Sequence, residues 1–226
     1  MNEFEIIRVA ITIGMMSVAT YWDVKTRYVD DRVWVFGLGS FIAISAVFIF
    51  VFETSIQELI GPLNIIGMMS GIGIAFAGWI MKFNGIGYAT GDFFGLLSLS
   101  VILPKFDGVV IPILTIMFAS VLCVMITVIL NLKINIKSKN FFSEFDEPAY
   151  KKILAYFTIH KKMENENFTF PAEITVNGKR KFQFRHDPDT QEFSSDAKET
   201  YVCTTTPMMP YILAGLGCAI TAALVL

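Results

Sequence analysis

The chain has 226 residues, of which 54% are hydrophobic and 17% charged, with a formal net charge of −2. An average soluble domain is about a quarter charged, so the balance is tilted toward lipid. The near-zero charge and the lack of any basic, aromatic-interleaved run exclude nucleic acid as an expected partner.

The apolar runs come in order. A bilayer core about 30 Å thick takes about 20 apolar residues as helix. Ile6 to Trp22 is the first candidate span, with Arg8 near its start, where a long side chain can snorkel. It is expected to be a retained helix, because Glu3 and Glu5 precede it and no clear cleavage site follows. Val33 to Phe52 is the second. Leu63 to Met81 is the third, rich in the small residues Gly67, Ser70, Gly71 and Gly73 that let membrane helices approach closely. These glycines leave a homo-oligomer open, since they can pack within one chain or between two. Phe93 to Leu103 is a short fourth span ended by Pro104. Val109 to Leu132 is the fifth and Pro207 to Leu226 the sixth.

Residues 133–206 are polar and hold twelve of the eighteen Lys and Arg residues, against eleven acids. Asp146-Glu147-Pro148 reads as a helix start, followed at helical spacing by Ala149, Ile153, Leu154 and Phe157. Asn177-Gly178 between β-prone runs is a hairpin signal. The fold class is therefore an all-α polytopic membrane protein. Six transmembrane helices carry a small α+β domain inserted before the last helix. The domains are 1–132 (spans one to five), 133–206 (the inserted domain) and 207–226 (the sixth span).

Basic residues gather after spans one, three and five, at Lys25, Arg27, Arg32, Lys82 and in the polar domain. By the positive-inside rule the expected location is the cytoplasmic membrane, multi-pass, with both termini outside and residues 133–206 cytoplasmic.

The cysteines Cys123, Cys203 and Cys218 form no disulfide or zinc pattern, and two of them lie in apolar runs as small hydrophobes. His160 and His186 read as solvated surface residues, so no metal and no cofactor is expected. Two acids stand out instead. Asp23 follows span one, and Asp92 opens span four after Gly85-Ile-Gly87 and Gly91. The topology sets both on one membrane face, and ionisable groups at membrane depth are costly and usually functional. Two adjacent carboxylates share a proton, so one acts as base and the other as acid. The competing readings are structural. Asp92 can be a helix N-cap, Asp23 a span-end marker, and Asp31 the cap of the second span. Gly91 permits the close backbone approach a substrate strand needs. Lys25 and Arg27 read as topology signals, with substrate contact as the second reading.

Three segments together resemble the type IV prepilin peptidases, a family of GxGD intramembrane aspartyl proteases, and within it the archaeal preflagellin peptidases. They are Asp23-Val-Lys-Thr-Arg-Tyr-Val-Asp-Asp-Arg-Val-Trp34, the glycine-rich loop ending Gly91-Asp92, and Leu103-Pro-Lys-Phe106. The resemblance implies Asp23 and Asp92 as the catalytic pair, acting without a cofactor. It implies preflagellin or prepilin precursors as substrates, cut on the cytoplasmic side. Many bacterial members also methylate their product through a cysteine-bearing domain. This chain lacks those cysteines, so cleavage alone is expected. It departs from the family at Ala89-Thr90-Gly91-Asp92, where GxGD has a glycine in place of Ala89. That departure keeps an inactive peptidase-like scaffold as an alternative. A small cation or proton transporter is the other.

Overall fold

A computed structural model describes residues 3–52, 61–82, 90–138, 142–162, 168–184, 201–204 and 206–226. The chain divides into two compact units. One comprises Met1–Leu122 with Pro207–Leu226, the other Cys123–Thr206. The division falls inside the fifth apolar helix, ahead of the first lysine of the polar stretch.

The first unit is helical. Its elements are α1 (Glu3–Thr26), α2 (Asp31–Phe50), α3 (Pro62–Lys82), α4 (Thr90–Ile102), the first part of α5 (Ile111–Ser138), and the last helix of the chain, Met209–Val225. Among the described residues α1, α2, α3 and α5 are long and apolar enough to cross a membrane, while α4 and the last helix are shorter apolar helices. The chain is thus a mainly helical, membrane-associated protein. Each apolar run forms a helix because intrahelical bonding satisfies its backbone where lipid cannot.

The helix ends differ from the sequence expectation in instructive ways. α1 continues through Asp23 to Thr26, so Asp23 lies within its last turn. Arg27 ends the helix in the left-handed region (φ 58) and returns its N–H to the Asp23 carbonyl at 2.9 Å. Asp30, not Asp31, caps α2, its carboxylate accepting the Arg32 N–H at 2.9 Å. One residue further on, Asp31 is already helical and its side chain sits too late to reach the orphan amides. The fifth helix starts at Ile111 and not Val109, because Lys105–Phe106 (β1) and Val109–Val110 (β2) pair as a small antiparallel hairpin. Its turn is Asp107-Gly108, both at positive φ, the conformation that a two-residue hairpin demands.

α4 is the central helix and touches α1, α2 and α3. Leu96, Leu99 and Ile102 are buried in its core. Two α3 glycines make room for it. A Cβ on Gly67 would collide with the Pro104 carbonyl, and one on Gly71 with the Ser100 side chain. The small residues of this span therefore serve packing within the chain at these two positions.

Arg8 does not snorkel. It is 2% exposed, its Nε donates to the Ile102 carbonyl at 2.5 Å, and its guanidinium lies over the Phe4 and Phe41 rings. The last carbonyls of α4 have no intrahelical donors, and an internal cation at a helix C-terminus meets that need better than water could at this depth. Nearby, Glu5 pairs with Lys105 at 3.5 Å.

The second unit continues α5 and adds α6 (Ala149–Thr158), β3 (His160–Lys161), β4 (Thr169–Pro171), β5 (Glu173–Val176), β6 (Lys179–Phe182) and β7 (Tyr201–Thr204). The final helix of the chain is accordingly α7 (Met209–Val225). One sheet has the order β3-β7-β4 and the other is the β5-β6 hairpin, all antiparallel. The hairpin turns at Asn177-Gly178 as expected, both at positive φ. The core is aromatic. Phe145 stacks on Phe182 at 4.2 Å, and Phe142 and Tyr201 pack edge-on or tilted around them.

His160 overturns the expectation of a solvated residue, being 1% exposed. Its Nδ1 lies 2.9 Å from the Asn131 Oδ1. The Asn131 amide nitrogen donates to the Thr127 carbonyl, so its oxygen is an acceptor and the His160 Nδ1 carries the proton. A polar ring is tolerated there because α5 supplies a matched partner. His186 lies outside the described residues.

Candidate active site

Asp23 and Asp92 are both buried, each 8% exposed. Asp23 stands in the last turn of α1, Asp92 in the first turn of α4. The Arg8–Ile102 bond ties the start of α1 to the end of α4, and Met209 links Asp23 near the end of α1 to Gly95 near the start of α4, so the two helices run antiparallel. From Arg8 to Asp23 is about 22 Å of helix and from Ile102 back to Asp92 about 15 Å. Both carboxylates therefore emerge toward the same end of the unit.

The start of α7 joins them there. The Met209 N–H donates to the Asp23 Oδ2 at 2.9 Å, across 186 positions of sequence. Met209 is also the neighbour of Gly95, one turn after Asp92. A Cβ on Gly95 would stand 2.8 Å from the Met209 methyl and 3.2 Å from the Trp34 ring. One residue thus touches the Asp23 carboxylate through its backbone and the Asp92 helix through its side chain. Gly91, beside Asp92, faces Val29, with a Cβ there at ordinary contact distance of 3.7 Å. No part of the described chain presses on it.

Helix ends and a nearby cation offset part of the cost of burying these carboxylates. The first amides of a helix carry partial positive charge. Asp92 sits in the first turn of α4, and Asp23 occupies the N-terminus of α7 from a neighbouring helix. Arg27 is partly buried and attracts Asp23. Lys25 is exposed and points back along α1 to the Tyr21 hydroxyl at 3.3 Å. Of the two basic residues singled out in the sequence, Arg27 is the one brought to the carboxylate. Gly85 and Gly87 lie outside the described residues.

Sequence reasoning missed Met209 because its contribution is a backbone N–H, which every residue but proline owns. The hint was positional, as Pro210 opens the last helix and leaves the preceding amides seeking an acceptor. Among the described residues no group of three or more His, Cys, Asp or Glu side chains could hold a metal ion. No family model, curated protein or solved structure matches the chain.

Proposed function

We propose that the chain is an intramembrane aspartyl endopeptidase that removes the short leader of preflagellin or prepilin subunits at the cytoplasmic membrane face. The supporting observation is that Asp23 and Asp92 are both buried on helices that Met209 links, its N–H bonding Asp23 and its side chain packing at Gly95, one turn after Asp92. In this reading α4 and α7 cross the membrane with the four longer helices. About 20 Å of helix in α4 against a core of about 30 Å leaves room for water beside Asp92. The substrate specificity comes from the resemblance of residues 23–34 and 85–106 to the preflagellin peptidases.

The chemistry needs one carboxylate ionised and one protonated. The ionised aspartate takes a proton from a water, whose oxygen adds to the scissile carbonyl carbon. The protonated aspartate gives its proton to the carbonyl oxygen. The tetrahedral diol then collapses. Its C–N bond breaks as the newly protonated aspartate gives its proton to the leaving nitrogen, one diol hydroxyl passes its proton to the other aspartate, and the two carboxylates are left sharing one proton as before. The Met209 N–H fixes the orientation of Asp23 throughout.

A purely structural role is the rival for Asp23, which caps α7. The two roles separate by substitution. An asparagine oxygen still accepts the Met209 N–H, so Asp23→Asn keeps the cap and removes the ionisable carboxyl. Asp23→Asn and Asp92→Asn should each lower leader cleavage by roughly 10²–10⁴-fold without loss of thermal stability. Cleavage is read by gel shift and N-terminal sequencing of a preflagellin in membranes. Asp23→Ala should lose stability as well. Full cleavage by either asparagine variant would sink the mechanism.

A further inference from the structure

The helix α6 is turned the wrong way round. Tyr150, Ile153, Leu154 and Phe157 fall within an arc of about 100°, the stripe an amphipathic helix normally buries. Here Tyr150 is 68% exposed, Ile153 62% and Leu154 49%, whereas Ala155, nearly opposite, is fully buried. Lys151 and Lys152 flank the buried side with their stems half covered. The unit's aromatic core is thus reached through Ala155 and Ile159, and the apolar face of α6 looks outward. Burying it inward would gain more, so its exposure calls for an occupant outside the unit.

The attachment of α6 indicates which occupant. The Asn135 side chain of α5 donates to the carbonyls of Tyr156 at 2.9 Å and Ile159 at 2.8 Å, holding the end of α6 against α5. α5 is long and apolar enough to cross a membrane, and its apolar run stops at Lys133, two positions before Asn135. Its 28 residues make about 42 Å of helix, more than a bilayer core of about 30 Å. The end of α6 is therefore pinned where a membrane span leaves the hydrocarbon. Ile136, next in sequence to Asn135, is also 63% exposed. The stretch 133–162 carries seven lysines against three acids. This is a charge balance that suits anionic headgroups.

We infer that α6 is an interfacial helix lying in the plane of the bilayer surface, with Tyr150, Ile153 and Leu154 inserted at the headgroup–acyl boundary and the net positive charge of the stretch drawing it to anionic headgroups. The bilayer is favoured over a protein partner because α5 already delivers α6 to it. The inference rests on the membrane-spanning character of α5 and not on the aspartate chemistry, so either can fail alone.

The test uses the full chain, one copy per nanodisc, with Cys123, Cys203 and Cys218 replaced by alanine. Nitroxide labels are placed at Tyr150→Cys, Ile153→Cys and, as a reference on the opposite side, Lys152→Cys. Collision with oxygen, which partitions into lipid, is compared with collision with a water-soluble nickel chelate. The expected result is oxygen collision at 150 and 153 with nickel collision several-fold below that at 152. Discs containing phosphatidylglycerol should deepen the difference relative to phosphatidylcholine alone. Labels at 150 and 153 that are open to nickel would overturn the inference. Labels shielded from both reagents would overturn it in favour of a protein contact. In the otherwise native chain, a benzophenone amino acid at position 150 gives a second reading independent of the cysteine-free background. Photolysis should yield a lipid adduct, and a protein adduct or none would reject the bilayer.

Discussion

Arg8 and Asp23 occupy opposite ends of α1, and each completes a different helix. Asp23 supplies an acceptor to the orphan amides of α7, Arg8 a donor to the orphan carbonyls of α4. Polar groups at such depth persist when matched, since an unmatched partner carries its full desolvation cost. Arg8 also fixes how far α4 is drawn along α1, and hence the level at which Asp92 stands relative to Asp23. Removing the Arg8 donor leaves the buried Ile102 carbonyl unsatisfied, which costs about 1–3 kcal/mol. Arg8→Ala should therefore lower the detergent unfolding midpoint and, through misplacement of Asp92, reduce leader cleavage. Arg8→Lys should recover part of the stability but less of the activity, because an ammonium lacks the planar fork that also lies over Phe4 and Phe41. Equal recovery of both would argue that α4 needs only a charge there. Asp23 and Asp92 were legible as candidates because carboxylates at span ends are rare and costly. Arg8 was legible only as a charge near a helix start. Its partner lies 94 positions away, and no local pattern announces a bond formed by tertiary packing.

Among the elements, the apolar runs announced the helices, since length and hydropathy are local properties. Boundaries were less legible because they depend on single bonds. The cap of α2 belongs to Asp30 rather than its neighbour, and the start of α5 yields to the Asp107-Gly108 hairpin. That dipeptide was the signal available for the hairpin, as Asn177-Gly178 was for the other. The face of α6 shows the opposite case. Its period correctly announced a helix, but period alone names no occupant for the apolar side. The small residues of α3 divide in the same way. Gly67 abuts the Pro104 backbone, and Gly73 has nothing within 4 Å of an added Cβ. Gly67→Ala should force α3 and α4 apart and cost about 1–3 kcal/mol. Gly73→Ala should be neutral or stabilising by up to about 1 kcal/mol from helix propensity. Thermal unfolding in detergent distinguishes them, and equal midpoints for the two variants would show that α3 does not pack closely on this face.

The whole molecule combines two units with different kinds of core. The membrane-associated unit packs aliphatic side chains and glycines around α4. The inserted unit is held by a cluster of Phe142, Phe145, Phe182 and Tyr201, supported by surface ion pairs such as Asp146–Lys179 at 2.8 Å. Its hairpin was legible in the sequence; its aromatic cluster was not, since those four residues come from segments joined only by folding. Asp23, Asp92 and Met209 all belong to the first unit, so the proposed chemistry and the stability of the insertion should be separable. Phe145, 2% exposed and stacked on Phe182, is the residue with which to separate them. Phe145→Ala should cost the second unit about 3–5 kcal/mol and make residues 142–204 far more sensitive to limited proteolysis. The first unit keeps its core, so the variant should still cut a preflagellin at the same bond and still depend on Asp23 and Asp92. A raised KM with unchanged kcat would assign the inserted unit to substrate capture. A lost kcat with an intact helical unit would show that the insertion takes part in assembling the carboxylate pair.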